Sequence, residues 1–158
     1  MPNRETTNVV LAGLGGQGVL TASGILANVL FRAGFDVKKS EIHGMSQRGG
    51  SVSSDVRFGK KVFSPMVPPG QADYLVVLAE SQVEVARPML KAGGVLVEPS
   101  LVDEKRLTNK KSLNVALLGT LARHLDLADN LWHAAIKAAL PEKLHAANVQ
   151  AFAVGKSP

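Results

Sequence analysis

A short apolar run that breaks into a glycine-rich turn and opens a helix constrains this chain more than any other feature. Val9-Val10-Leu11-Ala12 reads as a buried parallel strand. Gly13-Leu14-Gly15-Gly16-Gln17-Gly18 follows at once. From Gln17 to Ala33, Val19, Leu20, Ile25, Leu26, Val29 and Leu30 recur at helical spacing, and Gly34 is a natural stop. A strand, a tight turn and a helix in that order put free backbone N–H groups around a small concavity, where an anion is favoured. In an open α/β sheet that position is the carboxyl end of a strand, where ligands bind.

The rest of the pattern fits such a sheet. Asp36 to Ile42 reads as a second strand, polar enough to lie at an edge or near a ligand. Ser51 to Phe58 alternates, with Val52, Val56 and Phe58 on one face and Ser51, Ser53, Asp55 and Arg57 on the other. Gly59-Lys60-Lys61 is expected to turn a hairpin into Val62-Phe63. Three prolines between Ser64 and Gln71 make a loop. Tyr74 to Leu78 is a buried strand, Ser81 to Leu90 a helix ended by Gly93-Gly94, and Val95 to Val97 a further core strand stopped by Pro99. Val102 to Lys111 is a polar connector. From Ser112 onward the chain reads as helices: one with a stripe of Leu113, Ala116, Leu117, Leu118 and Leu121, one over Leu131 to Leu140, and one over Glu142 to Ala153 closed by Gly155. The expected fold is a single three-layer α/β/α domain over residues 1–158, with a mostly parallel sheet that carries a β-hairpin.

Gly13, Gly15 and Gly18 match G-x-G-x-x-G. A dinucleotide site also asks for an acid at the end of the second strand, about 20 residues on. Glu41 stands near that distance, but the run before it is polar. A plain tight turn, an anion or cofactor site and an NAD(P) site all stay open on these residues. No Gly-Lys-Ser/Thr follows, so the phosphate loop of nucleoside triphosphatases is absent.

The second informative segment is Glu41-Ile42-His43-Gly44-Met45-Ser46-Gln47-Arg48-Gly49-Gly50. Gly44, Gly49 and Gly50 make it a loop with unusual backbone angles. Arg48 between polar and glycine neighbours is a bidentate fork for a phosphate or carboxylate. His43 is suited to carry a proton or donate a hydrogen bond, and Glu41 to orient either one. A surface loop whose Arg pairs with a nearby acid is the plainer alternative. Asn114 reads as an N-terminal cap, with a ligand contact as its other use. His124, His133 and His145 read as surface or packing residues, and one His with one Glu is too little for a metal site.

Composition excludes several functions. With no Cys, the chain holds no disulfide and no Cys-ligated zinc or iron–sulfur cluster. Its formal charge of +5 comes from dispersed basic pairs, Lys38-Lys39, Lys60-Lys61, Lys105-Arg106 and Lys110-Lys111. Such a surface steers an acidic ligand or partner and does not track a nucleic acid. At 4% aromatics the chain lacks a base-stacking platform. Met1 to Asn8 is polar and no apolar run spans a bilayer, so no membrane contact and a cytoplasmic location are expected.

Taken together, Gly13 to Leu20, Ser40 to Val52 and Asn114 to Leu121 resemble the gamma-type subunits of 2-oxoacid:ferredoxin oxidoreductases, over nearly the whole chain. The Glu41–Gly50 loop is most similar to that of the indolepyruvate-type members. Pyruvate and 2-oxoglutarate types usually carry a Ser-Tyr-Gly-Pro-like sequence before the Arg-Gly-Gly. The chain is shorter after Gln150 than members of this family. The resemblance implies an accessory subunit, inactive alone, for the oxidative decarboxylation of a 2-oxoacid. Thiamine diphosphate, Mg and iron–sulfur clusters are expected on a larger partner subunit only, with ferredoxin reached indirectly through it. This domain is expected to cover the partner's thiamine site and to help bind coenzyme A. It implies a hetero-oligomer, with a homodimer compatible with the isolated chain. The residues expected at the cofactor are Gly13, Gly15, Gly16, Gln17, Gly18, Gly44, Met45, Gln47, Arg48, Gly49, Gly50 and Asn114, with support from Glu41, His43 and Arg48. Arg48 and His43 holding the substrate carboxylate is the other arrangement the resemblance allows. A freestanding NAD(P)- or acyl-CoA-binding domain remains the alternative.

Overall fold

The structure, a computed structural model, describes residues 6–43 and 50–157, with His43 as backbone only. Its sheet has five strands in the order β2-β3-β1-β4-β5. β1 (Thr6–Leu14) leads through α1 (Val19–Arg32) to β2 (Asp36–His43), which is paired antiparallel with β3 (Ser51–Gly59). β3 is also antiparallel to β1 on its other side. β1 pairs parallel with β4 (Ala72–Val77), and β4 with β5 (Leu90–Val97). Four strands therefore run one way and only β3 opposes them. The β2–β3 hairpin inserts β3 beside β1 and pushes β2 to the edge, which suits its polar sequence.

α1 buries Val19, Ala22, Ile25, Leu26, Val29 and Leu30 against Val9, Leu11, Val56 and Phe58 of the sheet. Each large side chain so buried stabilises the fold by roughly 1.5–3 kcal/mol. α3 (Leu113–Ala122) shares that face of the sheet, and α4 (Asp129–Ala139) and α5 (His145–Lys156) form a further layer behind α1 and α3. On the other face the cover is thin. There the one-turn α2 (Val83–Ala86) and the segment around Val67 pack on Val10, Leu75 and Val77. The α/β class and the mostly co-directed sheet are as expected, but its hairpin is β2–β3 and not one that turns at Gly59–Lys61, and the helices are distributed unequally between the faces.

Several local expectations are corrected. Val62-Phe63 forms no second hairpin arm, because β1 and β2 already occupy both edges of β3. Val62 is instead held by its N–H donating to Asp36 Oδ2 at 2.8 Å, and this bond keeps the Asp36 carboxyl below its ordinary range. The helix expected over Ser81 to Leu90 is a single α-turn between two 3-10 turns. Pro88 lacks the N–H that a longer helix needs there. Gly93 and Gly94 lie inside β5 rather than ending a helix. Gly93 has φ +80° and the pairing with β4 shifts register there, so the two glycines make a bulge. α3 is buried on every side from Asn114 to Ala122 instead of along one stripe, since α5 covers the side away from the sheet. Gly155 lies within α5, where a Cβ would fall 1.6 Å from the carbonyl oxygen of Ala116. His133 and His145 pack as expected, against Phe152 and the Leu140 carbonyl. His124 lies just beyond α3, against Tyr74.

Candidate functional site

The glycine-rich turn is built by its own residues. Gly16 and Gly18 hold φ of +89° and +83°, conformations that disfavour a side chain. Gln17 folds back so that its Oε1 accepts the Leu14 N–H at 2.7 Å. Gln17, expected at the cofactor, thus braces the turn with its acceptor oxygen and leaves only its NH2 end for a ligand. That brace also requires Gly13, whose Cβ would lie 2.9 Å from Gln17 Oε1. Gly18 is the N-cap of α1 and offers no side chain. The first turn of α1 contains no acidic residue, and its first internal bond is Ala22 N–H to the Gly18 carbonyl. The N–H groups of Val19, Leu20 and Thr21 therefore face outward at the positive end of the helix dipole.

The two glycine-rich segments meet. Gly13 lies opposite Val52 and Leu14 opposite Ser51, and the Gly15 N–H donates to the Gly50 carbonyl at 2.8 Å. The carboxyl end of β2 and the start of β3 thus stand at the same edge of the sheet as the turn. Glu41 is at that end of β2, opposite Ser54, with its carboxylate 2.9 Å from Lys39 Nζ. His43 is the last residue of β2, opposite Val52. Gly44, Met45, Gln47, Arg48 and Gly49 lie outside the described residues, as does the side chain of His43.

Asn114 is not the cap of α3. It is the second residue of that helix, buried, and its Nδ2 donates to the Gly18 carbonyl at 3.2 Å. A Cβ on Gly18 would sit 2.5 Å from that nitrogen. Asn114 thus locks the start of α3 against the start of α1. Two cavities flank the turn. One, of about 360 Å³, is lined by Gly16, Gln17, Leu78, Lys110, Lys111, Leu113 and Asn114. The other, of about 330 Å³, lies over the first turn of α1, between it and Val52.

Lys110 and Lys111 were not singled out as site residues from the sequence. They are exposed and carry no ion pair among the described residues. The signal for them was present: helices that follow co-directed strands begin at the same edge of the sheet. A basic pair just ahead of Asn114 therefore had to stand near the glycine-rich turn. The result is a concavity with outward N–H groups, a helix dipole and two ammonium groups that pair with no acid among the described residues, all suited to an elongated polyanion.

On the opposite face of the sheet Asp55 is buried, 3% exposed, and its Oδ2 accepts the Val67 N–H at 2.9 Å. Burial raises its carboxyl above the ordinary value of 3.8, against the lowering effects of that bond and of Arg57. In a window above 3.8 the folded chain therefore binds more protons than the unfolded one. Asp55's contribution to stability then falls as pH rises through the window, and is constant above it. Asp55→Asn, which mimics the neutral acid, is expected to match the parent below that window, to exceed it increasingly as pH rises through the window, and to keep a constant advantage above it. Urea midpoints across the pH range measure this, and equal midpoints at neutral pH contradict it.

The architecture is that of an open α/β domain with an anion-ready turn at the carboxyl edge of its sheet. The family description pyruvate ferredoxin/flavodoxin oxidoreductase matches residues 8–103, and the chain belongs to that family. It is 50% identical over 91 residues to the indolepyruvate oxidoreductase subunit IorB of Thermococcus kodakarensis, covering 56% of this chain and 44% of that protein. The IorB of Pyrococcus horikoshii is 48% identical over 91 residues with the same coverage. The aligned stretch thus spans less than half the length of these relatives. In fold, the chain resembles the gamma subunit of a keto/oxoacid ferredoxin oxidoreductase from Geobacter sulfurreducens. The TM-score is 0.81 at 21% identity, over 96% of this chain and 95% of that one. It also resembles part of a 2-oxoglutarate:ferredoxin oxidoreductase from Magnetococcus marinus, solved with 2-oxoglutarate, coenzyme A and succinyl-CoA bound. There the TM-score is 0.80 at 18% identity, over 98% of this chain and 31% of that one.

Among the described residues, no group of three or more His, Asp or Glu is placed to hold a metal ion, and no helix is long and apolar enough to cross a membrane.

Proposed function

We propose that this chain is the non-redox accessory subunit of a 2-oxoacid:ferredoxin oxidoreductase of the indolepyruvate type. It seats beside the thiamine site of a larger subunit and contributes to the binding of coenzyme A during oxidative decarboxylation. On this reading the iron–sulfur clusters sit on the partner, in keeping with the lack of Cys here, and thiamine diphosphate and Mg sit there with them. One observation carries the coenzyme A reading: the uncapped start of α1 and the unpaired Lys110 and Lys111 open onto the same turn at Gly16. A diphosphate seated there meets backbone N–H donors on one side and two ammonium groups on the other.

The dinucleotide alternative fits less well. In a dinucleotide-binding sheet the strand after the first helix lies next to the first strand, so that its terminal acid reaches a ribose. Here β3 occupies that place, and Glu41 stands one strand further out, against Lys39.

The reading is tested by co-expressing the chain with a thiamine- and cluster-bearing partner. A stable complex that oxidises an aryl 2-oxoacid only when both chains are present supports it, whereas failure to associate overturns it. In that complex Arg48→Ala is expected to lower turnover or coenzyme A affinity about tenfold, with the melting temperature unchanged. Unaltered kinetics would remove Arg48 from the site.

A further inference from the structure

A cavity of about 370 Å³ lies on the thinly covered face of the sheet, away from the glycine-rich turn. Its walls are mostly apolar, from Val10 and Ala12 of β1, Val67, and Ala86 and Met89 of the α2 segment, with Ser53 and the hydrogen-bonded pair Ser51 and Gln82 beside them. Ile42, Met66 and Val85, which line it as well, are 46%, 54% and 64% exposed. It shares only Val52 with the two cavities beside the turn.

Into this apolar space projects one buried carboxyl. Asp55 belongs to the polar face of β3, and the Val67 segment roofs it where water would otherwise stand. Arg57, its neighbour on that face, is turned to other partners: its Nε donates to Asn8 Oδ1 and its Nη1 to the Ser64 carbonyl. The Val67 N–H is the only hydrogen-bond partner of the Asp55 side chain among the described residues. Asp55 lines the cavity, and its Oδ1 has no hydrogen-bond partner among the described residues. A carboxylate has room for about four hydrogen bonds and is costly to bury with one.

We propose that this cavity is a second ligand site, taking a small uncharged molecule with an apolar body and one N–H or O–H donor that bonds to Asp55. The volume is at the lower end of the ~300–1,000 Å³ usual for ligand sites, and mostly apolar walls with a few polar groups, of which Asp55 is the one carboxyl, match their usual make-up. An anion is disfavoured by Asp55, and a cation by loss of hydration against such walls. The site is therefore chemically the opposite of the cationic cavity at the turn, and its existence does not depend on the reading given to that cavity.

The test uses three probes on the chain: 4-ethylphenol, 4-ethylanisole, in which a methyl ether replaces the donor hydroxyl, and 4-ethylbenzoate. Binding is read from amide shifts in nitrogen-15 NMR titrations. The expected result is saturable binding of the phenol, with shifts confined to the cavity lining. The anisole should bind at least tenfold more weakly, and the benzoate more weakly still. Asp55→Asn should remove most of the preference for the phenol over the anisole. Ala86→Phe, which fills the cavity from the short α2, should abolish binding of all three, and it keeps the test decisive if the Asp55 variant does not fold. Equal binding of phenol and anisole, shifts centred on the glycine-rich turn, or no saturation at millimolar phenol would each overturn the proposal.

Discussion

Gly119→Ala is expected to cost about 3–5 kcal/mol of stability, enough to leave the chain largely unfolded or to lower its melting temperature by roughly 10 °C or more. Gly119 is in the middle of α3 where α5 crosses it. An added Cβ would lie 2.1 Å from the Phe152 carbonyl oxygen, 2.9 Å from the Lys156 nitrogen and 3.0 Å from the Phe152 carbonyl carbon. All three are backbone atoms, so no rotamer change relieves the overlap. The helices would have to part, and parting them breaks the bond from Thr120 Oγ1 to the Gly155 carbonyl at 2.9 Å. It also opens the core around Leu117, Leu118, Leu121 and Phe152, all at most 1% exposed. Gly24 is the control. It lies inside α1 with nothing within 4 Å of an added Cβ. Gly24→Ala should therefore raise stability by about 0.5–1 kcal/mol, because Ala loses less backbone freedom on forming a helix. Thermal and urea unfolding of the two variants measure both signs. A Gly119→Ala chain that melts with the parent would show that α3 and α5 do not meet at this distance.

The second large effect is on ligand affinity. In the assembled complex, reversing both charges with Lys110→Glu and Lys111→Glu should weaken coenzyme A binding roughly 30-fold at about 0.1 M salt. This corresponds to about 2 kcal/mol for two exposed charges changed from attraction to repulsion. The effect should appear in the KM for coenzyme A and shrink as salt is raised, with the kcat at saturation retained. Stability should be unchanged, since neither lysine takes part in an ion pair among the described residues. An unaltered KM at low salt would detach these lysines from coenzyme A, and would leave the family assignment untouched.

Local sequence determined much of this protein. The β1–turn–α1 unit was legible because each residue's demand is met within a few positions: an apolar run, glycines at φ of +83° to +89°, and a helical stripe that ends at Gly34. The Glu41–Gly50 segment was legible as a family signature, although most of it lies outside the described residues. The alternation of β3 was legible too, but not what covers its polar face. Asp55 reads as a solvent-facing residue until the Val67 segment is placed over it.

Tertiary structure decided what depends on residues far apart in the chain. Strand order is one such feature: β3 enters between β1 and β2, and this takes Glu41 away from the place a dinucleotide would need. The partner of Asn114 is another, since Gly18 lies 96 residues away and no local cap rule reports it. Lys110 and Lys111 gain their position only when the start of α3 is set against the start of α1. Gly93 and Gly155 read locally as helix stops, yet one bulges a strand and the other admits a neighbouring backbone. Periodicity records which face of an element is apolar. Which element covers that face, and which charge arrives beside which turn, is settled only when the layers pack.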